Sequence, residues 1–229
     1  MRDQPKRYPS IPNAYEMTGK PGKYIAQSRY ASADIASLAS LPWMCYEKVN
    51  GTNIRIDYKS TGRLGQRSIR GRYEDSVIPP DLNEMLDYVF TAAWLERAFT
   101  GKVHATLYGE GVGPCIGKHA ARYGEDGFIL FDVNVNGWWL KQHDGFSVDS
   151  VAEALKIERA PLATVGTLYN AAYWVLDGAA SAYGDFIPEG LVCRPPEQLF
   201  DRRLRRIICK IKHLNFTPEH RADPGLFLG

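Results

Sequence analysis

The stretch YEKVNGTNIRIDY, residues 46–58, decides how the rest of the chain is interpreted. Its second half alternates Ile54, Ile56 and Tyr58 with charged residues, which predicts a half-buried strand. The strand is entered through a polar turn that contains Lys48 and a glycine. A lysine at the start of a buried strand either belongs to an ordinary hairpin or takes part in a reaction.

The composition is that of an ordinary globular protein. The chain has 229 residues, enough for one substantial domain or two small ones, and is 45% hydrophobic and 24% charged. A net charge of only +2 argues against a wholly basic nucleic-acid binder but leaves room for a local basic groove.

The cysteines and histidines are too scattered to predict a zinc or redox site, since no pair of cysteines has the Cys-x-x-Cys spacing. No stretch approaches the ~18 apolar residues of a membrane helix. The first residues have no apolar signal-peptide core. These features predict a cytoplasmic protein with reduced thiols and no membrane association.

Helices and strands alternate without a regular βαβ rhythm. An apolar stripe from Leu82 to Phe90 predicts one long helix that Gly101 closes, and a second helix is predicted from a Thr167 cap to Gly178. A capping box formed by Ser150 and Glu153 predicts a third helix.

Strands are predicted at VHATLYGEG (103–111), GFILFDVNV (127–135), PEGLVCRP (188–195) and the end of RLRRIICKIKHLNF (203–216). The order of elements favours an α+β fold with largely antiparallel sheets. Residues 1 to about 25, rich in Pro, Lys and Gly, predict an extended N-terminal arm.

Familiar nucleotide-binding and hydrolase motifs are absent from the sequence. GVGPCIGKH, residues 111–119, fails as a P-loop because Val112 replaces the first glycine and His119 the Ser or Thr that binds magnesium. The glycine pattern of dinucleotide-binding folds, the serine nucleophile elbow and the His-Glu-x-x-His motif are also missing.

Five other motifs remain, and together they are specific. They are EKVNGTN (47–53), RGR (70–72), GEGVGPCIGK (109–118), FILFD (128–132), and EGLV with KIK (189–192 and 210–212). In this order and spacing the chain resembles the covalent nucleotidyltransferases, and within them the ATP-dependent RNA ligases that seal nicks in duplex RNA, a branch common in phages. The resemblance implies an ATP-grasp-like nucleotidyltransferase fold, with two mostly antiparallel sheets and flanking helices.

Lys48 is the predicted nucleophile. An amine that attacks the α-phosphate of ATP must be neutral, and an unperturbed lysine, with a pKa of ~10.4, is deprotonated only about one time in a thousand at neutral pH. Nearby cations and a bound metal favour the neutral amine. The resemblance implies a lysyl-N-AMP intermediate on Lys48, and Gly51 is expected to let the backbone approach the phosphate closely.

Lys210 and Lys212 are two residues apart on a predicted strand, so both side chains face the same side. Two ammonium groups there are costly unless an anion lies between them, and a triphosphate supplies that anion. The resemblance implies that both bind the α-phosphate and assist Lys48. Glu189 opens EGLV and is suited to hold Mg²⁺, with Mn²⁺ as the alternative metal.

Further residues are assigned to the nucleotide by resemblance. Glu110 binds the ribose hydroxyls, Phe131 stacks on the adenine, and Glu47 meets the adenine edge. Arg72 contacts the ribose or the 5′-phosphate, with Arg67 and Arg70 as rivals for that role.

The reacting nucleic acid has its own predicted contacts. Asn53 is expected to bind the reacting end, and Lys118 a phosphate. The basic run 202–206 is either a solvated face or a grip on the phosphodiester backbone. The predicted nucleic-acid contacts are Asn53, Arg72, Lys118, Arg203 and Arg206.

The resemblance implies an ATP-dependent RNA ligase that joins 3′-hydroxyl and 5′-phosphate ends of RNA, or alternatively of DNA. Alternative interpretations are a DNA ligase, a GTP-dependent capping-type guanylyltransferase and a non-catalytic protein that binds nucleic-acid ends.

The first motif departs from the family pattern at Asn50, which stands where relatives carry Asp or His. The expected organisation is a single, monomeric adenylyltransferase domain over 1–229, without a C-terminal OB-fold or helical domain, so an accessory domain or partner protein is expected to assist it.

Overall fold

The protein is described here from a computed structural model, in which residues 7–20, 23–62 and 65–228 are described. The strands are β1 (Tyr15–Lys20), β2 (Lys23–Tyr30), β3 (Trp43–Glu47), β4 (Thr52–Thr61), β5 (Gln66–Gly71), β6 (Lys102–Val112), β7 (Gly127–Val135), β8 (Trp138–Trp139), β9 (Glu158–Arg159), β10 (Leu162–Gly166), β11 (Gly190–Arg194) and β12 (Cys209–Lys212). The helices are α1 (Ala33–Leu38), α2 (Pro80–Val89), α3 (Ala92–Leu95), α4 (Val148–Leu155), α5 (Leu168–Leu176), α6 (Pro218–Ala222) and α7 (Gly225–Leu228). Short 3-10 turns cover Ala120–Tyr123 and His213–Asn215.

The described residues form two compact units. The first unit contains residues 7–9 and 50–160, and the second contains residues 10–49 and 161–228. The boundary falls between Val49 and Asn50, inside the motif that follows the predicted nucleophile. Each unit has its own sheet and its own hydrophobic core.

The first unit is built on a sheet of order β5-β4-β6-β7-β8, with β9 added in parallel to β7. The alternation predicted for residues 54–58 buries Ile54, Ile56 and Tyr58 in the core on one face. Helices α2 and α4 contribute Leu82 and Val151 to the same core. The other face of these strands is therefore available for polar residues.

The second unit is built on an antiparallel sheet of order β10-β3-β11-β12. Its core contains Trp43, Leu191 and Ile211 from the sheet, together with Leu168 and Val175 from α5. Because alternate residues of β12 enter this core, the lysines between them face the other side.

The predicted α+β class with mostly antiparallel sheets is confirmed, and local details differ. Within the predicted N-terminal arm, β1 and β2 pair as an antiparallel hairpin and Tyr8 is buried, because aromatic residues there pack rather than remain in solvent. Residues 1–6 and 21–22 of that arm lie outside the described residues.

The helix predicted to reach Gly101 is wrong as a single element. Helix α2 ends at Val89 because Phe90 leaves the helical region, with φ −99° and ψ 57°, and Thr91 caps the separate helix α3. The predicted capping box is also wrong, since Ser147, rather than Ser150, caps α4 and Ser150 is its partner. The Thr167 cap of α5 is confirmed. Among the described helices, none is long and apolar enough to cross a membrane.

Gly190 is required by the close pairing of β11 and β12. A Cβ atom at this position would lie 2.0 Å from the carbonyl oxygen of Ile211, and the φ angle of +148° disfavours other residues. We expect Gly190→Ala to lower the free energy of unfolding by about 3 kcal/mol, measured by urea denaturation, because strain and overpacking both oppose it.

Gly184→Ala is the matched control. Gly184 has a similar φ angle of +156°, but the nearest atom to an added Cβ is 3.7 Å away, in the ring of Phe186. Only the backbone cost of roughly 1–2 kcal/mol should appear there. Equal losses in the two variants would show that the close approach of β12 is not the reason for Gly190.

Candidate active site

Three predicted catalytic residues meet in the second unit. The Nζ atom of Lys48 lies 2.6 Å from Oε2 of Glu189, and the Nζ atom of Lys212 lies 2.5 Å from Oε1 of the same carboxylate. Glu189 therefore bridges two lysines that are 164 residues apart in the chain (212 − 48). The exposed fractions of the Lys48 and Glu189 side chains are 23% and 15%, so the cluster is shielded but reachable.

The sheet register explains why these side chains meet. Lys48 directly follows β3, and its backbone N–H donates to the carbonyl of Gly190 at 2.8 Å. Gly190 lies opposite Lys212 in the β11–β12 ladder. Lys210 lies opposite Val192 and, two residues before Lys212, shares its face. The motifs EKVNG, EGLV and KIK thus come from three neighbouring strands.

The positive and negative charges of the Lys48, Lys212 and Glu189 cluster do not cancel. Burial by itself raises the pKa of Glu189, but the ammonium groups of Lys48 and Lys212 outweigh it and hold that pKa below its usual value. One ionised carboxylate then faces two ammonium groups. The cluster carries net positive charge, which suits an incoming phosphate.

Glu47, predicted to meet the adenine edge, is buried in the second unit. Its Oε1 accepts a 2.6 Å hydrogen bond from the Ser181 hydroxyl, and its Oε2 accepts a 3.0 Å bond from the backbone N–H of Ala182. Both oxygens thus anchor the segment before β11. The predicted contact of Glu47 with adenine stays a prediction.

In the first unit, Asn53 and Glu110 are direct neighbours. They lie opposite each other on β4 and β6, on the face away from the core. The Oε1 atom of Glu110 accepts a 3.2 Å hydrogen bond from the backbone N–H of Gly51. The two predicted contacts for nucleotide and RNA end therefore share one patch of the sheet.

Gly51 serves a purpose that the sequence did not reveal. A Cβ at this position would lie 2.1 Å from the carbonyl oxygen of Gly111, so the residue allows β4 to start against β6. The expected close approach of Gly51 to a phosphate stays a prediction. Tyr123, which sequence reasoning missed, supports the same turn, because its hydroxyl accepts a 3.2 Å hydrogen bond from the N–H of Asn50.

Phe131 lies at a β-bulge of the first unit. Tyr108 pairs with Asp132 and the next residue pairs with Leu130, so Phe131 has no partner on β6. Bulges re-aim side chains and often lie beside active sites. Phe131 is half-buried and its ring centroid lies 4.9 Å from that of Tyr8, nearly perpendicular to it.

Tyr8 is a second residue that sequence reasoning missed. Its hydroxyl donates a 2.8 Å hydrogen bond to the buried carboxylate of Asp132. A tyrosine in a Pro- and Lys-rich segment gave no periodic signal that pointed to this contact. Tyr8 fixes one edge of the Phe131 ring.

The three candidate arginines have different surroundings. Arg67 pairs with Asp87 at 2.7 Å, and Arg70 pairs with Glu74. Arg72 is exposed just beyond β5, and its guanidinium lies 5.8 Å from the centre of the Tyr73 ring.

The other predicted nucleic-acid contacts belong to loops. Lys118 is exposed in the glycine-rich loop of the first unit. In the second unit, Arg203 is exposed and Arg206 is half-buried, and both lie between β11 and β12.

Binding of a divalent metal at this site would need ligands from the substrate. Among the described residues, no group of three or more His, Cys, Asp and Glu side chains is placed to hold a metal ion. Glu189 fits the other common arrangement, in which one or two carboxylates hold Mg²⁺ together with substrate phosphates and water.

A sequence model of one protein family, described as RNA ligase, matches residues 41–212 of the chain. That range contains Lys48, Glu110, Phe131, Glu189 and Lys212. No curated protein matches the sequence significantly.

Solved RNA ligase structures have a similar fold. An archaeal ATP-dependent RNA ligase matches with a TM-score of 0.56 and 17% identity, over 90% of this chain and 48% of that one. The Naegleria gruberi RNA ligase with PPi gives 0.52 and 16%, over 82% and 53%. A mutant of the same ligase with ATP and Mn gives 0.53 and 15%, over 93% and 61%. The chain thus spans about half of these proteins, and at such identities the likeness shows the fold.

The stability contributed by Glu189 should be lost in acid. Because the pKa of folded Glu189 lies below its ordinary value near 4.5, its ion pairs stabilise the fold above that pH and lose their effect as the pH falls through the lowered pKa. We expect the difference in free energy of unfolding between wild type and Glu189→Gln to shrink below about pH 4.5, measured by urea denaturation. A difference that stays constant into acid would contradict the bridging role.

Proposed function

This chain belongs to the RNA ligase family, and we propose that it is an ATP-dependent RNA ligase that joins a 3′-hydroxyl to a 5′-phosphate through a lysyl-AMP intermediate. The observation that carries the proposal is the pairing of Lys48 and Lys212 with the single carboxylate of Glu189. An ordinary hairpin lysine would not need a carboxylate shared with a second lysine from another strand.

In the first step, Nζ of Lys48 attacks the α-phosphorus of ATP. A P–N bond forms, the bond from the α-phosphorus to the bridging oxygen breaks, and pyrophosphate leaves. In the structure the ammonium of Lys48 is paired with Glu189, so Lys48 must first lose a proton, which passes to solvent. The ammonium groups of Lys210 and Lys212, together with a divalent cation, would hold the triphosphate and favour the neutral amine that attacks.

A divalent cation supplies charge neutralisation of the phosphates and of the leaving pyrophosphate. Glu189 is the residue that would hold it, since its carboxylate already lies where two cations meet. We propose Mg²⁺ as the divalent metal, with Mn²⁺ as the alternative. Glu110 is assigned to the ribose, Phe131 to the adenine, and Arg72 to the ribose or 5′-phosphate.

In the second step, a 5′-phosphate oxygen of RNA attacks the adenylate phosphorus and the P–N bond to Lys48 breaks. In the third step, a 3′-hydroxyl attacks the 5′-phosphate, a phosphodiester forms and AMP leaves. Asn53 and Arg72 are assigned to the RNA end. Asn50 has an amide that hydrogen-bonds but cannot act as a base, so we expect the first step to be more efficient than the second.

The motif EK-x-x-G-T-N favours the branch of the RNA ligases that seals nicks in duplex RNA and is common in phages. We propose a monomer that acts on RNA ends in the cytoplasm. Assistance by an accessory domain or partner is also proposed.

The first test is incubation of the protein with a divalent metal and ATP labelled at the α-phosphate, without nucleic acid. We expect a covalent AMP adduct that survives base and breaks in acid, because phosphoramidates behave in this way. Intact mass measured beforehand detects any preloaded adenylate. Label from GTP alone would indicate a capping-type enzyme, and no label from either nucleotide would favour an end-binding protein.

Two variants locate the adduct. Lys48→Arg keeps a cation beside Glu189 but removes the nucleophilic amine, so it should abolish labelling while the fold stays intact. Lys23→Ala, an exposed lysine of the same unit, should label as the wild type does. Labelling of the Lys48→Arg variant would exclude Lys48 as the nucleophile.

Phe131 has its own test. Base–aromatic stacking is worth about 1–3 kcal/mol per base, so Phe131→Ala should raise the KM for ATP in adenylylation by roughly 5- to 150-fold. Tyr88→Ala, which removes an aromatic ring that is 85% exposed in the same unit, is the control and should leave KM unchanged. An unchanged KM in Phe131→Ala would remove Phe131 from the adenine site.

A further inference from the structure

A loop that connects the two catalytic strands of the second unit has an unusual tip. Residues 199–207, which we call the arginine loop, form a narrow turn closed by a 2.8 Å hydrogen bond from the N–H of Ile207 to the carbonyl of Leu199 and by a bridge between Phe200 and Arg206. The tip carries four consecutive exposed residues, Arg202, Arg203, Leu204 and Arg205.

Asp201 fixes the shape of this tip. Its Oδ1 accepts hydrogen bonds from the backbone N–H groups of Arg203 and Arg205, at 2.8 and 2.9 Å. Its Oδ2 binds Nε and a terminal nitrogen of Arg205, at 2.8 and 2.7 Å. The Arg205 guanidinium is thus committed to the loop itself.

Leu204 is held in a conformation that does not suit it. Its φ angle is +58°, in the left-handed region that non-glycine residues avoid, and its side chain is 74% exposed. Neither core packing nor backbone preference explains a leucine there. Strained residues of this kind persist where surrounding structure determines them, and they cluster at sites of function.

The chemistry of the tip matches a nucleic-acid strand. Guanidinium groups bind phosphates, and apolar side chains such as leucine pack against or between bases that are partly unstacked. RNA is recognised chiefly where its bases are unstacked and reachable. An exposed leucine preceded by two exposed arginines presents both kinds of contact at once.

The position of the loop separates it from the adenylylation cluster of its own unit. It leaves the sheet at the Cys209 end of β12, and Lys212 is three residues further along the strand, about 10 Å at ~3.3 Å per residue. We therefore expect the loop to contact the RNA strand rather than the α-phosphate of ATP.

We propose that the arginine loop is an RNA-binding element, in which Leu204 packs against an unstacked base and Arg202 and Arg203 bind the flanking phosphates. This inference rests on the proposed function for the identity of its ligand. Asp201 is a positioning residue, since it acts through the shape of the loop.

The test uses a 5′-phosphorylated RNA strand of about 16 nucleotides, the upper end of common single-strand site sizes. Leu204→Gly should raise the Kd for this RNA about 10-fold, the loss expected for one leucine's apolar contact. Its Tm should equal or exceed that of the wild type, because glycine relieves the strained φ angle. Leu214→Ala, which shortens another exposed leucine of the same unit, is the control and should leave the Kd unchanged.

The arginines are tested by salt dependence. Arg202→Gln and Arg203→Gln should each lower the slope of log Kd against log salt by about 1, as expected for one lost phosphate contact. Adenylylation of Lys48 by ATP alone should stay at the wild-type level in all loop variants.

The outcomes separate the two proposals. An unchanged Kd in Leu204→Gly, a Tm that falls in that variant, or a wild type that does not bind RNA would overturn the RNA-binding role of the loop. A wild type that fails to take label from ATP, while the Leu204→Gly variant still loses RNA affinity, would overturn the ligase and leave the loop proposal standing.

Discussion

The ion pairs of Glu189 with Lys48 and Lys212 are the interaction on which the rest of the candidate site depends. Burying one carboxylate between two ammonium groups is tolerable because the attraction offsets part of the desolvation cost, although such pairs seldom add net stability. The ion pairs matter because they fix the relative positions of the three side chains. Three strand ends must be in register for the three side chains to meet, so the cluster and the β3-β11-β12 sheet determine each other.

The same cluster bears on the proposed binding of ATP. A triphosphate carries more negative charge than a single carboxylate, so in the proposed first step it would compete with Glu189 for the lysines. The net positive charge of the cluster favours that exchange. Lys210 extends the cationic face by one more position along β12. The ion pair of Lys48 with Glu189 is therefore compatible with the proposed binding of a triphosphate at this cluster.

The sequence predicted the strands and the faces of their side chains for a physical reason. Strand alternation is local, so Ile54 and Ile56 identify the core face of β4, and Lys210 and Lys212 identify the polar face of β12, from the sequence alone. Contacts between distant segments were not predictable in this way. Tyr8 reaches Asp132, and Tyr123 supports Asn50, through tertiary packing that leaves no periodic pattern in the sequence. The break after α2 was missed because the apolar stripe continues through it.

Backbone strain and the close approach of strands explain residues whose role cannot be inferred from their type alone. Gly51 and Gly190 each allow two strands to approach closely, because an added Cβ would collide with a carbonyl oxygen of the neighbouring strand. Leu204 is the opposite case, because a glycine would suit its backbone and the chain nevertheless places a leucine there. A side chain that costs conformational energy and makes no use of the core must be explained by something outside the fold. In a chain of the RNA ligase family, the nucleic-acid strand is the partner whose chemistry fits that leucine and the two arginines before it.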